Sequence, residues 1–323
     1  MKAIVRHIYG SPDVLELRDI DMPEVKGDGV LVRVRAAGVN MADVDYLLGR
    51  PKIARLGTGL RKPKTSGLGL DVAGQVEAVG KDVTLFHPGD GVFGDLTEHS
   101  FGAFAEYACA PERAFALKPA NLTYEQAAAV PQSAVMALQG LRGKRRIRPG
   151  DNVLINGAGG GVGPFAVQIA KSFGAEVTGV DRTTKLDLVR SVGADHAIDF
   201  TQEDFTRSGQ RYHWILDTAG GHSIFDFRRV LEPMGTYVAI PGSMIQVFQA
   251  MLVGPLISLV GSRRMGMLMW RPFDLEDVAS VKELIEADKL APVIDRHFPL
   301  HEVAEALRHQ EKRHTRGKLV ISV

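Results

Sequence analysis

The sequence predicts an α/β protein of two parts, a mostly antiparallel, barrel-like β region and a doubly wound parallel sheet, and three observations carry that prediction. Residues 1–122 consist of short apolar runs that end in Gly or Pro, among them GVLVRVRAAGVN, GLDVAGQVEAVG and HPGDGVFG. Within the first run Val30, Val32 and Val34 alternate with Leu31, Arg33 and Arg35, the period-2 pattern of a strand. From residue 123 the rhythm changes: NVLIN, FAVQIAKSFG, EVTGV, LDLVRSVG, HAIDF, HWILD, IFDFRRVLE and TYVAI alternate strand and helix. Such alternation implies βαβ units on a parallel sheet with helices on both faces. The expected division is therefore 1–122 with 271–323 as the β domain and 123–270 inserted between them.

Taken in order, Thr123 and Gln126 have the capping-box spacing ahead of AAAVPQSAVMALQGL, a helical stretch that Pro131 bends or breaks. A Pro-Gly-Asp turn at 149–151 leads into NVLIN, and Gly174 and Gly193 stand where helix C-caps are expected. Met244 to Ser262 carries no charge, but Gly254-Pro255 splits it into pieces too short to span a bilayer. It reads as a buried helix, QVFQAML, followed by a buried strand, LISLVGS. The tail reads as a long helix, DLEDVASVKELIEADK, then PVIDRHFPL, a helix from about His301 and the strand KLVISV.

A formal charge of +1 in 323 residues leaves no electrostatic footprint for nucleic acid, so a small molecule is the expected partner. The lone Cys109 excludes an intrachain disulfide and any multi-cysteine metal site. MKAIVRHIYG lacks the apolar core of a signal peptide, and a cytoplasmic location is expected.

NVLINGAGGGVGPFAVQIAK carries the strongest chemical signal. It runs strand, glycine loop, helix, with Pro164 in the first helical turn. Backbone without side chains brings N–H groups close to a pyrophosphate, and the helix N-terminus adds a favourable dipole. Ala158 stands where the strict fingerprint has its first glycine; Gly159, Gly160, Gly161, Val162 and Gly163 complete the loop. Asp181 ends the next strand, where a carboxylate binds the ribose hydroxyls of NAD and repels a 2′-phosphate. Its neighbours Arg182 and Lys185 either hold that phosphate or point to solvent. Strand ends nominate further cofactor contacts at Asp217, Thr218, Ala219 and Gly220, and at Ile240, Pro241 and Gly242.

GVNMAD at 38–43, GLDVAGQVEAVG at 69–80, PGDGVFG at 88–94, GAFAEYACAPE at 102–112, AAVP at 128–131 and INGAGGGVG resemble the medium-chain dehydrogenase/reductase superfamily. More narrowly they are similar to its zinc-free quinone oxidoreductase branch. The resemblance extends over essentially the whole chain and implies a GroES-like β-barrel catalytic domain with a Rossmann domain inserted in it. Zinc members carry a cysteine where Asn40 stands and His-Glu where this chain has Leu70-Asp71, and their four-cysteine lobe has no counterpart in VFGDLTEHSFGAFAEY. A catalytic zinc needs three Cys, His or carboxylate ligands, so a metal-free site is expected, with His87 and His99 as surface or loop residues.

Without a Lewis acid the favoured acceptors are those that take hydride readily, quinones and alkenes conjugated to a carbonyl. The resemblance places Asn40 and Asp43 beside the nicotinamide, and Tyr46 is a candidate donor; Asp43 also reads as a structural cap. Gly317-Lys318 matches a segment that in the family returns to the active site, which makes Lys318 a cofactor candidate. Met136 stands where relatives often have a threonine, and Asp181 where NADP-preferring relatives have small or hydroxyl residues. The expectation is thus an NAD(P)H-dependent reductase of quinones or α,β-unsaturated carbonyls, leaning to NAD, homodimeric through a sheet edge at ISLVG. A zinc-free alcohol dehydrogenase and a cofactor-binding partner protein with little turnover are the alternatives.

Overall fold

The computed structural model describes every residue except Ser100, Lys144 and Pro241. Two compact units emerge: Met1–Val135 with Pro272–Glu286 and Pro292–Val323, and Met136–Arg271 with Ala287–Ala291. Residues 123–135 thus fold with the first unit, not the second as the sequence rhythm implied. The helix Tyr124–Ala128, capped by Thr123, lies so close to the strand Gly29–Val39 that a Cβ on Gly38 would stand 2.3 Å from the Ala128 carbonyl oxygen.

In the first unit one sheet runs in the order Ile294–Pro299, Lys318–Ser322, Gly29–Val39, Asp71–Val79, Gly91–Asp95, Phe115–Leu117, with Tyr107–Pro111 pairing to Gly29–Val39. All of these pairings are antiparallel except the first. Val30, Val32 and Val34 turn into a core with Leu47, Phe104, Phe115, Leu307 and Leu319, while Arg33 and Arg35 are exposed.

In the second unit six parallel strands stand in the order His196–Asp199, Glu176–Asp181, Asn152–Asn156, Tyr212–Asp217, Leu231–Ala239, Arg264–Met267. Numbered along the chain this is 3-2-1-4-5-6, the order of doubly wound dinucleotide-binding sheets. Trp214 is wholly buried in the fourth strand, and its indole N–H donates to the Gly140 carbonyl at 3.0 Å.

The uncharged segment departs from expectation. LISLVGS is not a strand; Met244–Phe248, a π-turn at Gln249–Val253 and Gly254–Val260 form consecutive helical segments. Pro255 is tolerated because it falls in the first turn of its helix, and Gly254 lets that helix close on the last strand, where a Cβ would stand 2.6 Å from the Met265 carbonyl oxygen. Nor is the segment buried: Ala250 and Gly254 face inward, whereas Ile245, Leu256, Leu259 and Val260 are exposed. The sheet edge is Arg264–Met267, whose Met265 N–H is taken by the Ser258 hydroxyl at 2.8 Å. Among the described residues, no helix is long and apolar enough to cross a membrane.

The glycine loop shows two kinds of constraint. A Cβ on Gly163 would meet the Gly157 carbonyl oxygen at 2.3 Å and the Ala158 carbonyl at 2.4 Å, whereas one on Gly160 would have only the Gly157 oxygen, at 3.5 Å. Gly163→Val should therefore cost more than about 2 kcal/mol in chemical denaturation, and Gly160→Ala should stay within about 1 kcal/mol of wild type.

Candidate active site

The parallel sheet reverses its winding between Asn152–Asn156 and Tyr212–Asp217, whose last residues Asn156 and Asp217 are paired in register. A ligand crevice lies at the carboxyl ends of strands at such a switch point. The loop from Gly157 leads there into the helix Gly163–Ser172, whose first amides lack intrahelical acceptors. Gly157 and Ala158 anchor the loop by donating their N–H groups to the Val180 carbonyl at 2.9 and 3.1 Å. Ala158 is buried, its methyl directed at the bare backbone of Gly179, so alanine at the first motif position keeps its side chain off the open side of the loop. Gly159, Gly160, Gly161 and Val162 follow in the turn, and nothing in the fold fills the space a Cβ on Gly160 would take.

Asp181 is fixed by this loop. One carboxylate oxygen accepts the Gly159 N–H at 2.8 Å and the other the Arg182 N–H at 2.9 Å. With two lone pairs on each oxygen, acceptor capacity remains for a pair of hydroxyls. Lys185 is not the solvent-exposed base that its sequence allows: its side chain is buried, its ammonium is 3.9 Å from Asp181, and its methylenes pack over Gly159. Arg182 is half-buried, and its enclosed Nε has no partner among the described residues.

Among the strand-end candidates, Asp217 is wholly buried and its carboxylate is used by the fold. It accepts from the Asn156 amide and the Gly220 N–H, both at 2.7 Å, and from the Tyr237 hydroxyl at 3.0 Å. Its effect is to shape the turn Thr218-Ala219-Gly220, leaving backbone and the exposed Ala219 for a ligand. The Thr218 hydroxyl donates to the Asn156 carbonyl at 2.9 Å, the Ile240 N–H to the Asp217 carbonyl at 2.8 Å, and the exposed Gly242 N–H to Gln246 at 3.1 Å. Pro241 lies outside the described residues.

The first unit gathers a second constellation by strand register alone. Leu319 pairs with Val39, Gly38 with Asp71, and Asp71 with Asp95, so Lys318, Asn40 and both aspartates share one end of the sheet. The buried Lys318 ammonium donates to the Asn40 carbonyl oxygen at 2.5 Å and to Asp71 at 3.3 Å. Asn40 in turn donates its amide to Asp71 at 2.9 Å, and the Gln132 N–H donates to the other Asp71 oxygen at 3.1 Å. Lys318, expected among cofactor contacts, is thus turned inward as the partner of Asn40. Asp43 is a cap, accepting the Asn40 N–H at 2.8 Å at the start of the helix Met41–Leu48.

Burial pushes the Asp43 carboxyl up to about 8, against the pull of the Asn40 N–H. Burial and then the charge of Asp71 push Asp95 up to about 7, against hydrogen bonds from the N–H and hydroxyl of Thr97. Asp71 is raised by burial and drawn back by Lys318 and Asn40. Tyr46, half-buried and tilted at 50° against Phe101 with ring centroids 4.6 Å apart, has its phenol raised by burial and by Asp95 and Asp43. Asp95 and Gln132 were missed by sequence reasoning, and Asp71 entered it only as a replaced ligand. Their shared signal is strand register, which single segments do not reveal. Among the described residues no group of three His, Cys, Asp or Glu is placed to hold a metal ion; His87 is exposed and His99 half-buried.

Residues 26–120 match the alcohol dehydrogenase GroES-like domain family, and residues 192–321 match the family described as zinc-binding dehydrogenase. The 2-methylene-furan-3-one reductase of Solanum lycopersicum is 33% identical over 99% of this chain and 79% of its own length. The solved quinone oxidoreductase of Coxiella burnetii is 32% identical with a TM-score of 0.87, covering 100% of this chain and 99% of its own. A solved NAD-dependent alcohol dehydrogenase is 30% identical with a TM-score of 0.86 over 100% of both chains. The chain therefore belongs to the medium-chain dehydrogenase/reductase superfamily, in its quinone oxidoreductase-like branch.

Proposed function

We propose that this protein is a zinc-independent reductase that uses a nicotinamide dinucleotide to reduce quinones or alkenes conjugated to a carbonyl. The observation that carries the reading is the glycine loop at the switch point, closed by a carboxylate whose orientation is already fixed. When bound, the dinucleotide supplies the hydride. The backbone of Gly159 to Gly163 would hold its pyrophosphate, and Gly160 fits that task because the space beside it is open on the protein side. Asp181 would take the ribose hydroxyls, and its charge, held in place by two amides, disfavours a 2′-phosphate. Preference for NADH over NADPH follows.

The chain's own residues would then manage the oxyanion that forms on the acceptor. The network orients Asn40: its carbonyl faces Lys318, which can only donate, and one amide hydrogen faces Asp71. Among the described residues nothing else takes the second amide hydrogen, which would serve the acceptor oxygen as in other preorganised oxyanion sites. Tyr46 offers a phenolic proton. Zinc fits this donor set poorly, because an amide stands at one position and the carboxylate at another already faces an ammonium. The Solanum relative, whose named substrate is itself an enone, supports the acceptor class. A second reading, an alcohol or ketone substrate, is favoured by the likeness to the NAD-dependent alcohol dehydrogenase. The enzyme is taken to act in the cytoplasm as a homodimer, a state that light scattering of the purified chain reads directly.

Cofactor consumption with a quinone, an enone and a ketone separates the readings: oxidation with the first two supports the proposal, and oxidation with the ketone alone replaces it. Asp181→Ser should lower the NADH-to-NADPH ratio of kcat/KM about tenfold, equivalent to about 1.4 kcal/mol; an unchanged ratio would remove Asp181 from the ribose site. Asn40→Ala should lower kcat on the order of 100-fold with little change in cofactor affinity. Gly160→Ala should raise the dissociation constant of the dinucleotide, read by calorimetry, without lowering the melting temperature.

A further inference from the structure

The formal charge of +1 conceals an uneven distribution. From Tyr46 to Leu70 the chain carries six cations, Arg50, Lys52, Arg55, Arg61, Lys62 and Lys64, and no Asp or Glu. Two of them are engaged by the fold. Arg50 stands 3.8 Å from Glu311, and Arg55 donates to the Gly49 and Leu48 carbonyls at 2.9 and 3.1 Å, its guanidinium 4.5 Å from the Tyr9 ring centroid. Lys52, Arg61, Lys62 and Lys64 are exposed, and among the described residues no carboxylate pairs with them. Between these cations stand Ile53, Leu56 and Leu60, which are 68%, 69% and 67% exposed. Single exposed apolar residues are ordinary, but three in so short a stretch, set among unpaired cations, mark a surface that meets something. The stretch is also held in shape. Lys52–Ala54 and Arg55–Thr58 form consecutive helical turns, which places Ile53 and Leu56, three residues apart, on one side. The Tyr9 hydroxyl donates to the Gly59 carbonyl and the Lys64 N–H to the Thr58 carbonyl, both at 2.8 Å. Gly59, at φ +121°, lets the chain double back so closely that a Cβ there would lie 2.1 Å from the Lys62 carbonyl oxygen.

We propose that residues 50–64 dock on an anionic lipid bilayer, with Ile53, Leu56 and Leu60 entering the headgroup layer while Lys52, Arg61, Lys62 and Lys64 meet lipid phosphates and carboxylates. Charge complementarity carries the choice of occupant, because clusters of roughly four to eight cations are what an anionic leaflet attracts. The interleaved aliphatic side chains select a partner with an apolar layer behind its charges. A soluble polyanion would meet the cations but leave those side chains in water. A second copy of the chain, joined to this segment by its own equivalent, would bring cation against cation, with no carboxylate between residues 46 and 70 to offset them. Such docking is peripheral and needs no membrane-crossing helix. On the reductase reading above it gives the enzyme access to quinones dissolved in the bilayer; the binding itself does not depend on that reading.

Sedimentation of the purified full-length protein with vesicles tests the surface. Vesicles of phosphatidylcholine with about one-third phosphatidylserine should carry the protein down, and vesicles of phosphatidylcholine alone should not. Raising salt from about 0.1 M to about 1 M, which shortens the screening length from about 10 Å to about 3 Å, should release most of it. Joint replacement of the four unpaired cations, Lys52→Gln, Arg61→Gln, Lys62→Gln and Lys64→Gln, should weaken partitioning more than about 100-fold, at about fivefold per cation. Joint replacement Ile53→Ser, Leu56→Ser and Leu60→Ser should weaken it about tenfold. All seven side chains are exposed, so both variants should keep the wild-type melting temperature. Both should also lose turnover of a long-chain quinone held in anionic vesicles while keeping that of a water-soluble quinone. No sedimentation with anionic vesicles, or sedimentation that either variant retains in full, overturns the proposal. Binding lost with the cations but kept without the aliphatic side chains assigns the segment to a soluble polyanion instead. A wild-type dimer that the serine variant splits, with no vesicle binding, assigns it to a second copy. Failure of the wild type to turn over any quinone or enone overturns the reductase reading and leaves the lipid result standing.

Discussion

The charge balance around Lys318 is the constraint on which the first unit depends. An ammonium and three carboxyls lie in an interior where an unpaired charge costs several kcal/mol. The arrangement survives because the ammonium is bound by Asn40 and Asp71 and because Asp43 and Asp95 are held toward their neutral forms. That balance also governs how the chain must fold. Lys318 comes from the final strand, 278 residues after Asn40, and reaches it because Lys318–Ser322 pairs antiparallel with Gly29–Val39. The tail completes the candidate site as well as the sheet.

In the second unit the governing constraint is steric. Gly163 must lack a side chain for the helix to meet its own loop, whereas Gly160 has room that the protein does not use. Asp181 links loop and strand by accepting the Gly159 N–H, so the carboxylate assigned to the ribose in the proposed function also ties down the glycine loop. The sequence presented Asp181 and Arg182 as competing votes between cofactors. Geometry separates them: the aspartate is short, buried and doubly held, and the competing bases are Lys185, packed over the loop beside it, and Arg182, half-buried with an unpartnered Nε.

Features encoded by local periodicity were legible in the sequence, among them the alternating strand at Val30–Arg35, the βαβ rhythm and the capped helix after Thr123. The segment at 254–260 was misread because a short apolar run fits strand and helix equally, and the breaker pair Gly254-Pro255 was taken to end the helix. Proline inside a first turn does no such thing, and the glycine serves close packing against the Met265 carbonyl. Residues 123–135 were assigned by their helical character, whereas their packing against Gly38 decides their unit. The acidic cluster was invisible for a different reason: Asp71, Asp95 and Lys318 lie on three strands, and only register brings them together.

Burial of Asp43 and Asp95 ties the stability of the first unit to pH. A carboxyl raised in the folded state binds its proton there more tightly than in the unfolded chain. Its contribution to stability is fully present below the unfolded value near 4 and is lost as pH rises through the folded value, about 7 for Asp95 and about 8 for Asp43. Across that window the folded state gives up stability that an amide in either position would keep.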